Sequence, residues 1–196
     1  MHIRPAERSD LEAIVAIYNH YVETSPATFE IARVSPEDRA VWLAEHSRPS
    51  PHRAFVAEAD GGLLGWATSS PFRPRAAYGT TVEVSVYCHP LHRGERVGSR
   101  LYGALFHAIE GEDLERAVAG ITLPNPGSVA LHRRWGFRWV GTFTRVGRKF
   151  GRYWDVAWFE RPMRSAEPGP SLSSERGSTD LASPGLGRDV SGAGAK

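Results

Sequence analysis

Residues 81–110 read "TVEVSVYCHPLHRGERVGSRLYGALFHAIE". A β-branched run comes first, with one acid, Glu83, between Val82 and Val84. A basic, glycine-containing turn follows, holding Arg93, Gly94, Arg96 and Gly98. Val97, Leu101, Leu105, Ala108 and Ile109 then recur at the spacing of an amphipathic helix. A strand, a turn and a helix in this order leave the first N–H groups of the helix unpaired, at the positive end of its dipole. Two readings follow. The turn holds a phosphorylated ligand with its reactive end beside the strand, or it is a solvated basic loop ahead of an ordinary packing helix.

The flanking sequence predicts the elements around this unit. Residues 2–5 form a short strand. Ser9 opens a helix with Glu12 completing a capping box, and Leu11, Ile14, Tyr18 and Tyr21 share one face. Ser35 caps a second helix with Pro36 at its first position. "RAFVAEADGGLLGWATSSPF" reads as two strands around an Asp60-Gly61-Gly62 turn. After residue 110, "RAVAGITL" is a strand and "NPGSVALHRRWG" a short helix ending at Gly136. "FRWVGTFTRVG" and "RYWDVAWFERPM" are two closing strands. The expected architecture is a mixed α/β sheet with helices on both faces.

The chain has 196 residues and a formal charge of +2. That is enough for one domain with a sizeable core, and too little charge to demand nucleic acid or an anionic membrane. No apolar run reaches the roughly 18 residues of a membrane span, and "MHIRPAERSD" lacks the apolar centre of a secretion signal. Cys88 is the sole cysteine, so it has no internal disulfide partner, which fits a reducing cytoplasm, and no structural zinc cluster is expected. Residues 165–196 are rich in Ser, Gly and Pro and lack aromatic residues. They are expected to form a disordered tail after a domain of residues 1–164.

The stretch that opens this section resembles the acyl-CoA-binding motif of the GNAT N-acetyltransferases, a strand, then Q/R-x-x-G-x-G/A, then a helix. Here the motif reads Arg93-Gly94-Glu95-Arg96-Val97-Gly98, with Arg96 where the pattern has its central glycine. "LPNPGSVALHRRWGF" resembles the second motif of that family. The similarity runs from "IRPAERSDLEAIVAIYNHY" to "YWDVAWFERPM", nearly the whole domain. "IYNHYVETSPATFE", "PFRPRAAYGTTVEVSVYCHP", "LHRRWGF" and "GRKFGRYWDV" resemble the phosphinothricin and methionine sulfoximine acetyltransferase group.

This resemblance implies a GNAT fold with a mostly antiparallel mixed sheet, acetyl-CoA as co-substrate, no metal, a small-molecule amine acceptor and a homodimer. It places Ser85, Val86, Tyr87, Arg93, Gly94, Glu95, Arg96, Val97, Gly98, Ser99, Asn125 and Ser128 at the cofactor. From the residues alone, Glu83 is an outward-facing acid on an edge strand or a general base; the resemblance makes it the base. His132 is an ordinary helical histidine or, by resemblance, the second ionisable catalytic group. A tyrosine often protonates the leaving thiolate in that family, and Tyr87 and Tyr102 are the candidates here. Phe29, Arg73, Arg75, Tyr78, Lys149 and Tyr153 are implied at the acceptor pocket, with Trp154 as a further apolar wall and Asp155 at its border. The two arginines suit an acceptor bearing a carboxylate. The rivals are acetylation of a protein N-terminus or a polyamine, a CoA-binding module without transfer, and nucleic-acid binding through "RVGRKFGR".

Overall fold

The computed structural model describes residues 1–46, 50–92 and 94–164. Arg93 and the stretch 165–196 lie outside the described residues. The elements are β1 (His2–Pro5), α1 (Leu11–Thr24), α2 (Pro36–Ala44), β2 (Arg53–Ala59), β3 (Gly62–Pro71), β4 (Thr81–Cys88), α3 (Val97–Ala108), β5 (Arg116–Thr122), α4 (Pro126–Arg134), β6 (Arg138–Lys149) and β7 (Arg152–Pro162). Seven strands make one sheet in the order β1-β2-β3-β4-β5-β7-β6. Among the described residues every neighbouring pair is antiparallel except β4 with β5.

Local chemistry accounts for the boundaries. The Ser35 hydroxyl accepts from the Asp38 amide at 3.1 Å, with Pro36 supplying a preset φ at the first helical position. Asp60 and Gly61 have φ of +50° and +79°, the pair of positive values a two-residue hairpin turn requires. The expected Ser9–Glu12 cap is not the one used. A short 3-10 turn, Arg8–Asp10, precedes α1, and the Asp10 carboxylate accepts from the Glu7 amide at 2.8 Å. Arg4 fixes that carboxylate with two bonds of 2.7 and 2.8 Å, so the cap lies two residues earlier than the local pattern indicates.

The sheet has an apolar layer on each face. Val82 and Val84 of β4 join Leu101, Tyr102, Leu105 and Phe106 of α3 in the larger core. Side chains alternate along a strand, so Glu83, Ser85 and Tyr87 point to the other face. There Ile14, Ile17, Tyr18 and Val22 of α1 pack with Val56 and Trp66, and Tyr87 lies against them. Each large apolar side chain buried in this way contributes about 1.5–3 kcal/mol relative to exposure. β4 stands fourth of seven strands, so Glu83 does not lie on an edge strand.

Candidate active site

The parallel pairing of β4 with β5 is short. It runs from Thr81–Arg116 to Glu83–Val118 and stops. β3 follows β4 as far as Cys88, and β7 follows β5 as far as Thr122. The two halves of the sheet therefore part just beyond Glu83, leaving the facing edges of Val84–Cys88 and Ala119–Thr122 without a strand partner. Backbone polar groups inside a fold need partners, so a fork of this kind suits a ligand that presents its own donors and acceptors.

A cleft of about 850 Å³ occupies the fork. Val84 to Cys88 line one wall and Gly120 to Thr122 the other, with Gly94, Arg96 and Val97–Ser99 at the start of α3 and Asn125–Ser128 at the start of α4. The α4 start is held by the Asn125 side chain, which accepts from the Ser128 amide at 3.1 Å. Two helix N-termini thus face one cleft and favour negative charge in it. Ser85, Val86 and Tyr87 line the cleft, as do Gly94, Arg96, Val97, Gly98, Ser99, Asn125 and Ser128. Glu95 is exposed and turned to His92, 3.2 Å away.

Arg96 takes the glycine position of the motif in a left-handed conformation, φ +61° and ψ +17°, immediately before α3. The close approach that glycine permits falls instead at Gly98. A Cβ there would stand 3.0 Å from the Leu131 side chain and 3.5 Å from Cys88 Sγ.

Glu83 is the last residue of the β4–β5 pairing, at the apex of the fork. It is half-buried, and burial raises its pKa above the usual carboxylate value while the charge of Arg73 opposes the rise. A carboxylate poised this way takes up a proton more readily than an exposed one.

His132 belongs to the opposite face. It lines the cleft but is 3% exposed, packed against Phe137 and Tyr102. Nδ1 lies 2.8 Å from the Ser128 carbonyl. A carbonyl only accepts, so Nδ1 carries the proton. Nε2 of the neutral ring then accepts from the Tyr102 hydroxyl at 2.8 Å. Burial lowers the His132 pKa, which keeps the ring neutral near pH 7. No hydrogen bond joins His132 to Glu83: Glu83 points to the α1 face of the sheet, and His132 packs against Tyr102 on the α3 face. Burial also raises the pKa of both Tyr87 and Tyr102. Of these two, Tyr87 lines the cleft and Tyr102 is fully buried.

The residues expected at the acceptor divide into two groups. Arg73, Arg75 and Tyr78 sit on the loop between β3 and β4, and Arg73 is near enough for its charge to act on Glu83. Arg73 lies 4.6 Å over the Phe72 ring, Tyr78 meets Phe72 edge-on at 5.7 Å, and the Arg75 carbonyl accepts from the Tyr78 amide at 2.9 Å. The second group surrounds the β6–β7 hairpin. Lys149 was expected to meet the acceptor, but its ammonium donates to the carbonyls of Ser25 and Thr28 at 2.8 Å and of Tyr21 at 3.3 Å. It is 4% exposed, and it ties the hairpin to the end of α1, where a cation also offsets the helix dipole. The tip of the Phe29 ring covers Gly147 and leaves no room there for a Cβ. Tyr153 is exposed beneath Arg145, 4.5 Å from its guanidinium carbon. Trp154 donates to the Lys149 carbonyl at 3.0 Å, and Asp155 accepts from the Arg145 amide at 2.7 Å.

Among the described residues no cluster of His, Cys, Asp or Glu is placed to hold a metal ion, and no helix is long and apolar enough to cross a membrane. Sequence reading missed Ser70 and His46, which share the sheet face of Glu83 and are bonded to each other at 2.9 Å. A bond between residues 24 positions apart leaves no periodic signal.

The forked sheet with a helix N-terminus at its mouth defines an acyl-CoA-type acetyltransferase. Residues 3–158 match the model of the acetyltransferase (GNAT) domain, and the chain belongs to the GNAT acetyltransferase family. It is 50% identical over 165 residues to the phosphinothricin N-acetyltransferase of Streptomyces coelicolor, covering 83% of this chain and 96% of that protein. It is 35% identical over 167 residues to the L-methionine sulfoximine/L-methionine sulfone acetyltransferase of Pseudomonas aeruginosa, covering 84% and 97%. The crystal structure of a phosphinothricin acetyltransferase from Sinorhizobium meliloti in complex with AcCoA matches with a TM-score of 0.78 at 33% identity, over 82% of this chain and 87% of that one.

Proposed function

We propose that this protein transfers the acetyl group of acetyl-CoA to the α-amine of a small amino-acid-like acceptor of the phosphinothricin, methionine sulfoximine or methionine sulfone type. The observation that carries the reading is Glu83 at the point where β4 and β5 part, next to a cleft with two helix N-termini and within reach of the charge of Arg73.

The donor would lie in the cleft with its phosphates at the start of α3 and its acetyl thioester against the unpaired edge of β4. Backbone N–H groups near Val84 and Val86 would hold the thioester carbonyl and the charge that develops on it. Arg73 and Arg75 would grip the acceptor carboxylate and aim its amine. Glu83 takes one proton from the ammonium, directly or through a water. The freed amine attacks the thioester carbon to form a tetrahedral intermediate, whose collapse breaks the C–S bond and, as the nitrogen's second proton replaces the one Tyr87 gives up, leaves a neutral amide. Tyr87, the tyrosine that lines the cleft, would protonate the departing thiolate. Neutral His132, bonded to Tyr102 and Ser128, would hold the cleft floor rather than move the acceptor's proton.

We further propose a cytoplasmic homodimer. Support comes from edge strand β6, which exposes Trp139, Val140, Phe143 and Val146, each more than half accessible. No nucleic-acid partner is proposed. In the basic segment that includes Lys149, the lysine is held by three carbonyls, and Arg145 and Arg148 lie against Tyr153.

The test is CoA release measured with phosphinothricin, methionine sulfoximine, methionine sulfone, spermidine and a peptide N-terminus as acceptors. The three amino-acid analogues are expected to give the highest kcat/KM. A preference for the polyamine or the peptide overturns the acceptor assignment.

A further inference from the structure

Ser70 of β3 stands directly opposite Glu83 of β4. Side chains so paired share a face, with Cβ atoms about 4.5–5.5 Å apart. The Ser70 hydroxyl is 2.9 Å from His46 Nε2, and His46 Nδ1 is 2.7 Å from the Trp42 carbonyl. His46 lies just past the end of α2 and is 7% exposed, with its ring against Trp42 at 4.6 Å.

These contacts fix the direction of each hydrogen bond. The Trp42 carbonyl only accepts, so Nδ1 carries a proton. In a neutral ring Nε2 is then an acceptor, and the Ser70 hydroxyl must donate to it. Ser70 therefore has lone pairs, and no proton, left to offer a neighbour on that face such as Glu83. An oxygen that only accepts favours the protonated carboxyl over the carboxylate, directly or through one water. Burial lowers the His46 pKa, with His52 and Arg39 adding to the effect and the hydrogen bond to the Trp42 carbonyl and the charge of Glu45 opposing it, and the net fall keeps the ring neutral in the working pH range. The charge of Arg73, which faces Glu83 from the β3–β4 loop, favours the carboxylate.

We propose that Ser70 and His46 are positioning residues that set the proton affinity of Glu83 by fixing the polarity of one hydroxyl. The inference rests on the reading of Glu83 as the base. If His46 is removed, the Ser70 hydroxyl is free to donate to the carboxylate, and Glu83 becomes a weaker base. If Ser70 is removed, the protonated form of Glu83 loses its acceptor, and the change has the same sign.

The experiment is the pH dependence of kcat/KM for the best acceptor, in the full chain. Ser70→Ala and His46→Leu are each expected to move the acidic limb down by roughly 0.5–1 pH unit, the size that one hydrogen bond commands. Ser70→Thr keeps the hydroxyl and should restore the original limb. The double variant should match Ser70→Ala alone, because His46 acts only through that hydroxyl. A limb that stays in place in Ser70→Ala while Glu83→Gln abolishes it overturns this inference alone, as does a further shift in the double variant. A limb that survives in Glu83→Gln overturns Glu83 as the base and the inference with it.

Discussion

Replacing Arg96 with glycine should make the protein more stable, although it removes a charged side chain from the mouth of the cleft. Arg96 has φ +61° and ψ +17°, a conformation that costs an L-residue with a Cβ roughly 1–2 kcal/mol. Glycine escapes that cost but gives the unfolded chain more freedom, worth about 0.4–1 kcal/mol against folding. The difference is a net gain of about 0.5–1 kcal/mol. For a domain of this size that corresponds to a rise in Tm of about 1–4 °C. Arg96→Ala is the control, since it removes the guanidinium and keeps the Cβ. Thermal unfolding of both variants, without ligand, separates strain from charge. The glycine variant should melt above wild type and the alanine variant should not. Equal melting temperatures for the two variants would show that the left-handed backbone stores no strain. Acetyl-CoA titration of the same proteins then reports the role of the side chain. Weaker binding by both variants means that the guanidinium meets a phosphate, and tighter binding by the glycine variant means that it obstructs the approach.

Two more outcomes follow from the same site. Lys149→Met keeps the buried stem but strips the donor from the Ser25 and Thr28 carbonyls, so chemical denaturation should show a loss on the order of 3 kcal/mol, given about 1.5–3 kcal/mol for each charge-assisted bond; a loss under 1 kcal/mol would mean that water replaces the ammonium. Glu83→Gln should raise Tm at neutral pH. The folded-state pKa of Glu83 is raised by burial, so its ionised form opposes folding above that pKa. Once both folded and unfolded states are protonated, below about pH 4, the advantage of the glutamine should vanish. Melting curves across pH 3–8 check this, and a glutamine variant less stable than wild type at pH 8 refutes the sign.

Much of this fold was legible because its signals are local. The β-branched run and the helical stripe of residues 81–110 lie within one strand and one helix. Ser35, Asn125 and the Asp60-Gly61 pair act on backbone within three residues of themselves. What escaped the sequence is set by residues far apart in it. Arg4 moves the first helix cap by fixing Asp10. Lys149 finds its carbonyls more than 120 positions away, and nothing in its own segment marks a buried lysine. The fork depends on where the β4–β5 pairing stops, and neither strand carries a mark of that point. Glu83 and His132 occupy opposite faces of the sheet, which only the alternation of Val82 and Val84 into the α3 core reveals.

The central claim is that Glu83 accepts the amine's proton at the apex of the fork. Its most direct test is kcat for Glu83→Gln beside wild type across pH 6–9.5, with acetyl-CoA affinity measured calorimetrically on the same samples. Unchanged acetyl-CoA binding with turnover reduced by roughly 10²–10⁴-fold is the predicted result, the usual scale for losing acid–base assistance. Turnover within a few-fold of wild type at every pH would contradict it.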